Sequence, residues 1–80
     1  MSPEELYEHS MGNRAEVEAS ALCGCFFCKA IFAAAEVTEY YEEEETALCP
    51  QCGFDAVIGS AAGAEITSEL LGKMQKLYFW

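Results

Sequence analysis

Two short cysteine pairs, Cys25-x2-Cys28 and Cys49-x2-Cys52, separated by twenty residues, restrict this chain more than any other feature. Two residues between cysteines let the backbone curl so that both sulfurs face one centre. Two such turns supply four thiolates to one tetrahedral metal ion. The spacing meets the C-x2-C-x15–20-C-x2-C zinc pattern at its upper edge. Gly53 follows the second pair, where the turn calls for a positive φ that glycine adopts without steric cost. Lys29 holds the equivalent place after the first pair, where its charge can moderate an anionic centre, and Pro50 stiffens the second turn. Cys25, Cys28, Cys49 and Cys52 are therefore the expected ligands and zinc the expected cofactor, with iron the alternative occupant of a four-thiolate site. Four protein ligands leave no position open for water or substrate, so the centre should be structural rather than catalytic.

A single Cys-x2-Cys can instead be a redox dithiol, but two of them without a βαβ pattern favour a metal. Cys23 is surplus to the four. It can replace Cys25 in a C-x4-C arrangement or remain a spare thiol, and the x2 geometry of the second pair favours the spare. His9, the one histidine, is superfluous as a fifth ligand and reads as an exposed helix residue. His9, Asn13, Arg14, Glu16 and Asp55 form a polar set that could line a pocket beside the metal turns. Capping and ion pairing by Asn13, Arg14 and Glu16 is the more ordinary role, and no nucleophile–base geometry argues for catalysis.

Eighty residues make one small domain. Such a chain buries only about 60–65% of the surface its unfolded form exposes, and folds of this size commonly need a metal, disulfides or oligomerisation. The expected core is Phe26, Phe27, Ile31, Phe32, Val57, Ile58, Leu70, Leu71, Met74 and Leu77, with the tyrosines and Trp80 at its margin. Fourteen acidic residues against four basic ones give a formal charge of −10. Phosphate binding depends on Lys and Arg, so direct nucleic-acid binding is disfavoured and a basic protein is the better partner. The acidic start has no apolar signal-peptide core, and the longest apolar run is too short to span a bilayer. With an odd cysteine count, these features point to a cytoplasmic protein without a membrane segment.

Along the chain, Ser2-Pro3-Glu4-Glu5 reads as a capped helix start and Gly12 as a stop. Asn13 can cap a second helix, so residues 1–22 form a helical N-terminal arm of one bent helix or two. Residues 23–60 form a zinc ribbon, and Val37, Tyr40 and Tyr41 at i, i+3 and i+4 predict a helix inserted within it over Ala33–Glu45. The four acids Glu42–Glu45 oppose a helix C-terminal dipole, so that helix should fray into a turn toward Thr46. Thr67 caps a final helix over 66–79, with Ile66 and Leu71 placed as a hydrophobic staple.

The chain resembles a family of small uncharacterised bacterial zinc-ribbon proteins, often labelled only as cytoplasmic proteins. The resemblance lies in His9-Ser10, Asn13-Arg14-x-Glu16, Cys23-Gly24-Cys25-Phe26-Phe27-Cys28 and Ala47-Leu48-Cys49-Pro50-x-Cys52-Gly53-x-Asp55-x-Val57-Ile58-Gly59. It continues more weakly through Ile66-Thr67, Leu71 and Met74. It implies a zinc-binding cytosolic domain and supplies no activity. The expected fold is small α+β: a zinc ribbon with a short antiparallel sheet, flanked by helices. The leading function is an acidic, zinc-stabilised protein-interaction module rather than an enzyme. An acidic inhibitor or nucleic-acid mimic that blocks a nucleic-acid-binding host protein is the first alternative, and a small enzyme using Cys23 or His9 the second.

Overall fold

The N-terminal arm folds as two short helices, α1 (Pro3–Glu8) and α2 (Arg14–Glu18). The Ser2 hydroxyl accepts from the Glu5 N–H at 3.1 Å while Glu5 Oε1 accepts from the Ser2 N–H at 2.8 Å, a complete capping box. The computed structural model describes residues 1–79, so the expected packing of Trp80 lies outside the described residues.

Three short strands form the main sheet: β1 (Leu22–Cys25), β2 (Ile31–Ala33) and, much later in the chain, β5 (Val57–Gly59). Their order is β2-β1-β5, all antiparallel, with Cys25 opposite Val57 and Gly24 opposite both Ile31 and Ile58. The first cysteine turn joins β1 to β2, and the segment carrying the second runs into β5. The central strand therefore brings the two turns side by side. The result is the small α+β ribbon with antiparallel sheets and flanking helices that the sequence predicts.

Helix α3 (Ser68–Tyr78) begins where Thr67 accepts from the Leu70 N–H at 3.1 Å and lies against the central strand at Gly24. A Cβ there would sit 2.8 Å from Ile66 Cγ2 and 2.9 Å from a Leu71 methyl, so the missing side chain sets how closely α3 approaches the sheet. The buried face of α3 is Leu71 and Met74, with Tyr78 completing the stripe from half-burial, where its ring stacks on Tyr7 of α1 at 3.9 Å. Leu70 and Leu77, one heptad apart, fall on the flank, and Leu77 is 50% exposed.

The core consists of Leu6, Val17, Phe26, Phe32, Val57, Ile58, Leu71 and Met74 with Cys23, Cys25 and smaller residues between them. Phe27, Ile31 and Leu77, expected inside, are 37%, 41% and 50% exposed. In the first turn only one of two adjacent phenylalanines can point inward. Phe26 does so, against Tyr7, Tyr78 and Phe79.

The helix expected over Ala33–Glu45 is absent. Ala34–Glu36 is a single 3-10 turn, and the chain then forms a hairpin of β3 (Tyr40–Tyr41) and β4 (Thr46–Ala47), with Tyr40 opposite Ala47. Helical spacing of Val37, Tyr40 and Tyr41 was a true pattern with the wrong cause: β-branched and aromatic residues suit a strand equally well. The acidic run forms the hairpin tip, where Glu45 takes φ 53°. Arg14 anchors that tip, its N–H reaching Glu45 O at 2.9 Å and its guanidinium reaching the Glu45 carboxylate at 3.1 Å. No described helix is long and apolar enough to cross a membrane.

Candidate metal centre

Both cysteine turns are closed by the same two kinds of backbone hydrogen bond. The Cys25 N–H donates to Ala30 O at 3.0 Å and the Cys49 N–H to Phe54 O at 2.9 Å. Lys29 N–H closes the first turn onto Cys25 O at 2.8 Å, and Gly53 N–H closes the second onto Cys49 O at 2.9 Å. Lys29 and Gly53, equivalent in the sequence, both take a left-handed backbone, with φ 65° and 77°. Glycine does so freely, whereas lysine bears some strain held by the closing bonds.

The four sulfurs of Cys25, Cys28, Cys49 and Cys52 lie within 4.8 Å of one another. Two edges of this cluster, Cys25–Cys52 and Cys28–Cys49, measure 3.7 Å. A tetrahedron with metal–sulfur bonds of about 2.3 Å has edges of about 3.8 Å. Backbone N–H groups face the inner sulfurs: Phe27 N–H donates to Cys25, and Gln51 and Cys52 N–H donate to Cys49, each at 3.4 Å. Such donors suit thiolates rather than thiols. Cys25 and Cys49 are buried, Cys28 and Cys52 exposed.

The sulfur environments differ from one cysteine to the next. Burial pushes the Cys25 thiol well up, against the pull of the Cys28 and Phe27 N–H groups. Burial likewise raises Cys52. At Cys49 burial acts upward too, but the Cys52 and Gln51 N–H groups and the Cys28 thiol outweigh it and bring the group below its ordinary value. A divalent cation at the centre would supply the positive charge that four thiolates packed this closely require.

Cys23 is not part of the cluster. It is fully buried in β1 opposite Phe32 and Gly59, and burial lifts its thiol to about 11, so it is protonated at neutral pH. Replacing Cys23 by alanine is expected to leave one metal ion per chain and lower stability by about 1–2 kcal/mol through the small cavity. Elemental analysis with chemical denaturation checks both, and a halved metal content would make Cys23 a ligand.

The polar set separates. His9 Nδ1 lies 2.9 Å from Glu16 Oε1, a half-buried pair between the helices rather than a free surface histidine. Arg14 pairs with Glu18 and Glu45 and stands 4.5 Å over the Tyr40 ring. Asp55 takes no part in these contacts among the described residues. Asn13 occupies the cap position of α2 without a side-chain cap bond. Its side chain instead reaches across the core, Nδ2 donating to His9 O at 2.9 Å and Val57 O at 2.8 Å while Oδ1 accepts from Ala47 N–H at 3.0 Å. Ala47 and Val57 flank the second cysteine turn, so Asn13 holds both its ends. Nothing local in the sequence marks this role, because two of the partners lie 34 and 44 residues away.

Comparisons of the chain with protein-family models, with curated proteins and with solved structures find no match.

Proposed function

We propose that the chain is a zinc-stabilised module that docks a basic protein and performs no catalysis of its own, within the family of small bacterial zinc-ribbon proteins it resembles. The observation that supports this most is the set of four cysteine sulfurs within 4.8 Å, a complete ligand sphere with no vacancy for substrate. Zinc suits the set best, being redox-silent and content with four thiolates. A metal–thiolate centre adds two negative charges to the chain's −10. The exposed tip Glu42–Glu45, carried on the β3–β4 hairpin and pinned by Arg14, presents that charge on a shaped element rather than a loose tail. Exposed Tyr41 beside it supplies apolar area.

Capture from cells of the source organism by the metal-loaded chain tests the reading against a variant with Glu42, Glu43, Glu44 and Glu45 all changed to Gln. A basic protein retained by the parent and lost by the variant, with binding that weakens as salt rises, is the expected outcome. Equal recovery by both proteins would remove the hairpin from the interface. Release of the captured protein by added DNA would favour the nucleic-acid mimic.

A further inference from the structure

Within each turn the two cysteines differ in a way that structural support alone does not require. Each turn contributes one buried and one exposed cysteine, Cys25 with Cys28 and Cys49 with Cys52. Two sulfur–sulfur contacts cross between the turns at close range: exposed Cys28 lies 3.7 Å from buried Cys49, and exposed Cys52 lies 3.7 Å from buried Cys25. The N–H donors that temper sulfur reactivity face Cys25, Cys49 and, through Phe54, Cys52. Cys28 receives none among the described residues, which leaves it the most open corner.

Oxidation of cysteine follows thiolate character and exposure, and it stops reversibly at a disulfide where a second thiol stands ready. We infer that Cys28 and Cys49 form a modification site for hydroperoxides, an accessible thiolate with its resolving partner on the opposite turn, which converts the metal centre into a cross-turn disulfide. The inference rests on the metal reading above.

The chemistry balances with hydrogen peroxide as the oxidant. The Cys28 thiolate attacks one peroxide oxygen, the O–O bond breaks, and hydroxide leaves to become water with a solvent proton. The Cys28 sulfenic acid so formed is attacked by the Cys49 thiolate. The S–S bond forms, the S–O bond breaks, and the second oxygen leaves as water after taking a proton. Two thiolates lose two electrons and the peroxide becomes two waters, leaving only two of the four residues that would hold a metal. Cys25 and Cys52 remain as the reduced pair. Cys23, fully buried, takes no part.

The test uses the metal-loaded full chain, with a Cys23→Ala version so that only the four cluster cysteines report. Metal content is measured first. Hydrogen peroxide is then added in steps while released metal is read with a chromogenic chelator, and proteolytic fragments are mapped by mass under non-reducing conditions. The expected result is one metal ion released per peroxide consumed, with Cys28–Cys49 the first disulfide to appear and full recovery on adding a dithiol reductant and metal. A first disulfide within one turn, Cys25–Cys28 or Cys49–Cys52, would overturn the inference and leave the metal reading intact. So would retention of metal while thiols oxidise. A chain that purifies folded without metal would overturn both.

Discussion

Removal of the metal with a strong chelator is expected to unfold the entire chain, abolishing its far-UV signature and its cooperative melt rather than loosening one loop. Binding at structural four-thiolate sites is worth about 10–16 kcal/mol. A chain of eighty residues ordinarily holds only about 4–12 kcal/mol of net stability. The local elements offer little to fall back on. Helices α1 and α2 have six and five residues, and no strand exceeds four. Isolated helices and hairpins of such length do not persist in water. Both connections that close the main sheet pass through a cysteine turn, so loss of the ion frees β2 and β5 together. The net charge of −10 then acts to expand the released chain. Cys49→Ser should reproduce the result, since it removes the sulfur that takes two backbone N–H bonds. Circular dichroism before and after chelation, with readdition of zinc, checks the expectation. An apoprotein that melts at its original temperature would show the sulfurs to be incidental.

The features read correctly from the sequence are those whose causes are local. A cysteine turn is completed within about six residues, and so is the Ser2–Glu5 capping box or the Thr67 cap. Each could be recognised without knowing what lies across the fold. The segment Ala33–Glu45 had no such closure. Its apolar spacing matched a helix, but Tyr40 pairs with Ala47, and β4 is in turn held by Asn13 from far upstream. Tertiary contacts settled a question on which local preference was nearly neutral. Burial of Phe26 and exposure of Phe27 have the same origin, since the choice between adjacent side chains depends on where α1 and α3 stand. The four candidate ligands were legible because metal geometry restricts spacing. The His9–Glu16 pair and the Asn13 clamp were not, because hydrogen bonds between distant segments leave no periodic trace.

Asn13→Asp is expected to destabilise the folded chain heavily, although it changes one NH2 group for an oxygen. Asn13 is 4% exposed, and its amide makes three bonds to backbone groups of three separate segments. Both Nδ2 hydrogens are spent on carbonyls, those of His9 and Val57. A carboxylate in that position would aim lone pairs at two carbonyl oxygens. Protonation would restore only one of the two donors, so neither charge state of aspartate satisfies the site. Leaving a buried polar group unmet costs about 1–3 kcal/mol each, which puts the loss at about 3–5 kcal/mol. Asn13→Ala should fall slightly short of that: it leaves the Ala47 N–H unmet as well as the two carbonyls, but it buries no charge. The sign of the pH dependence follows from the buried carboxyl's preference for its neutral form. Its folded pKa would rise above the unfolded value, so the deficit relative to Asn13→Ala should widen as pH rises from 5.5 to 8. Because Ala47 and Val57 bracket the second cysteine turn, both variants should also bind zinc more weakly than the parent. Denaturation of metal-loaded protein, paired with competition for zinc against a chelator of known affinity, reads both effects. If Asn13→Asp lies within about 1 kcal/mol of the parent, below the penalty for even one unmet group, the clamp does not hold the second turn in place.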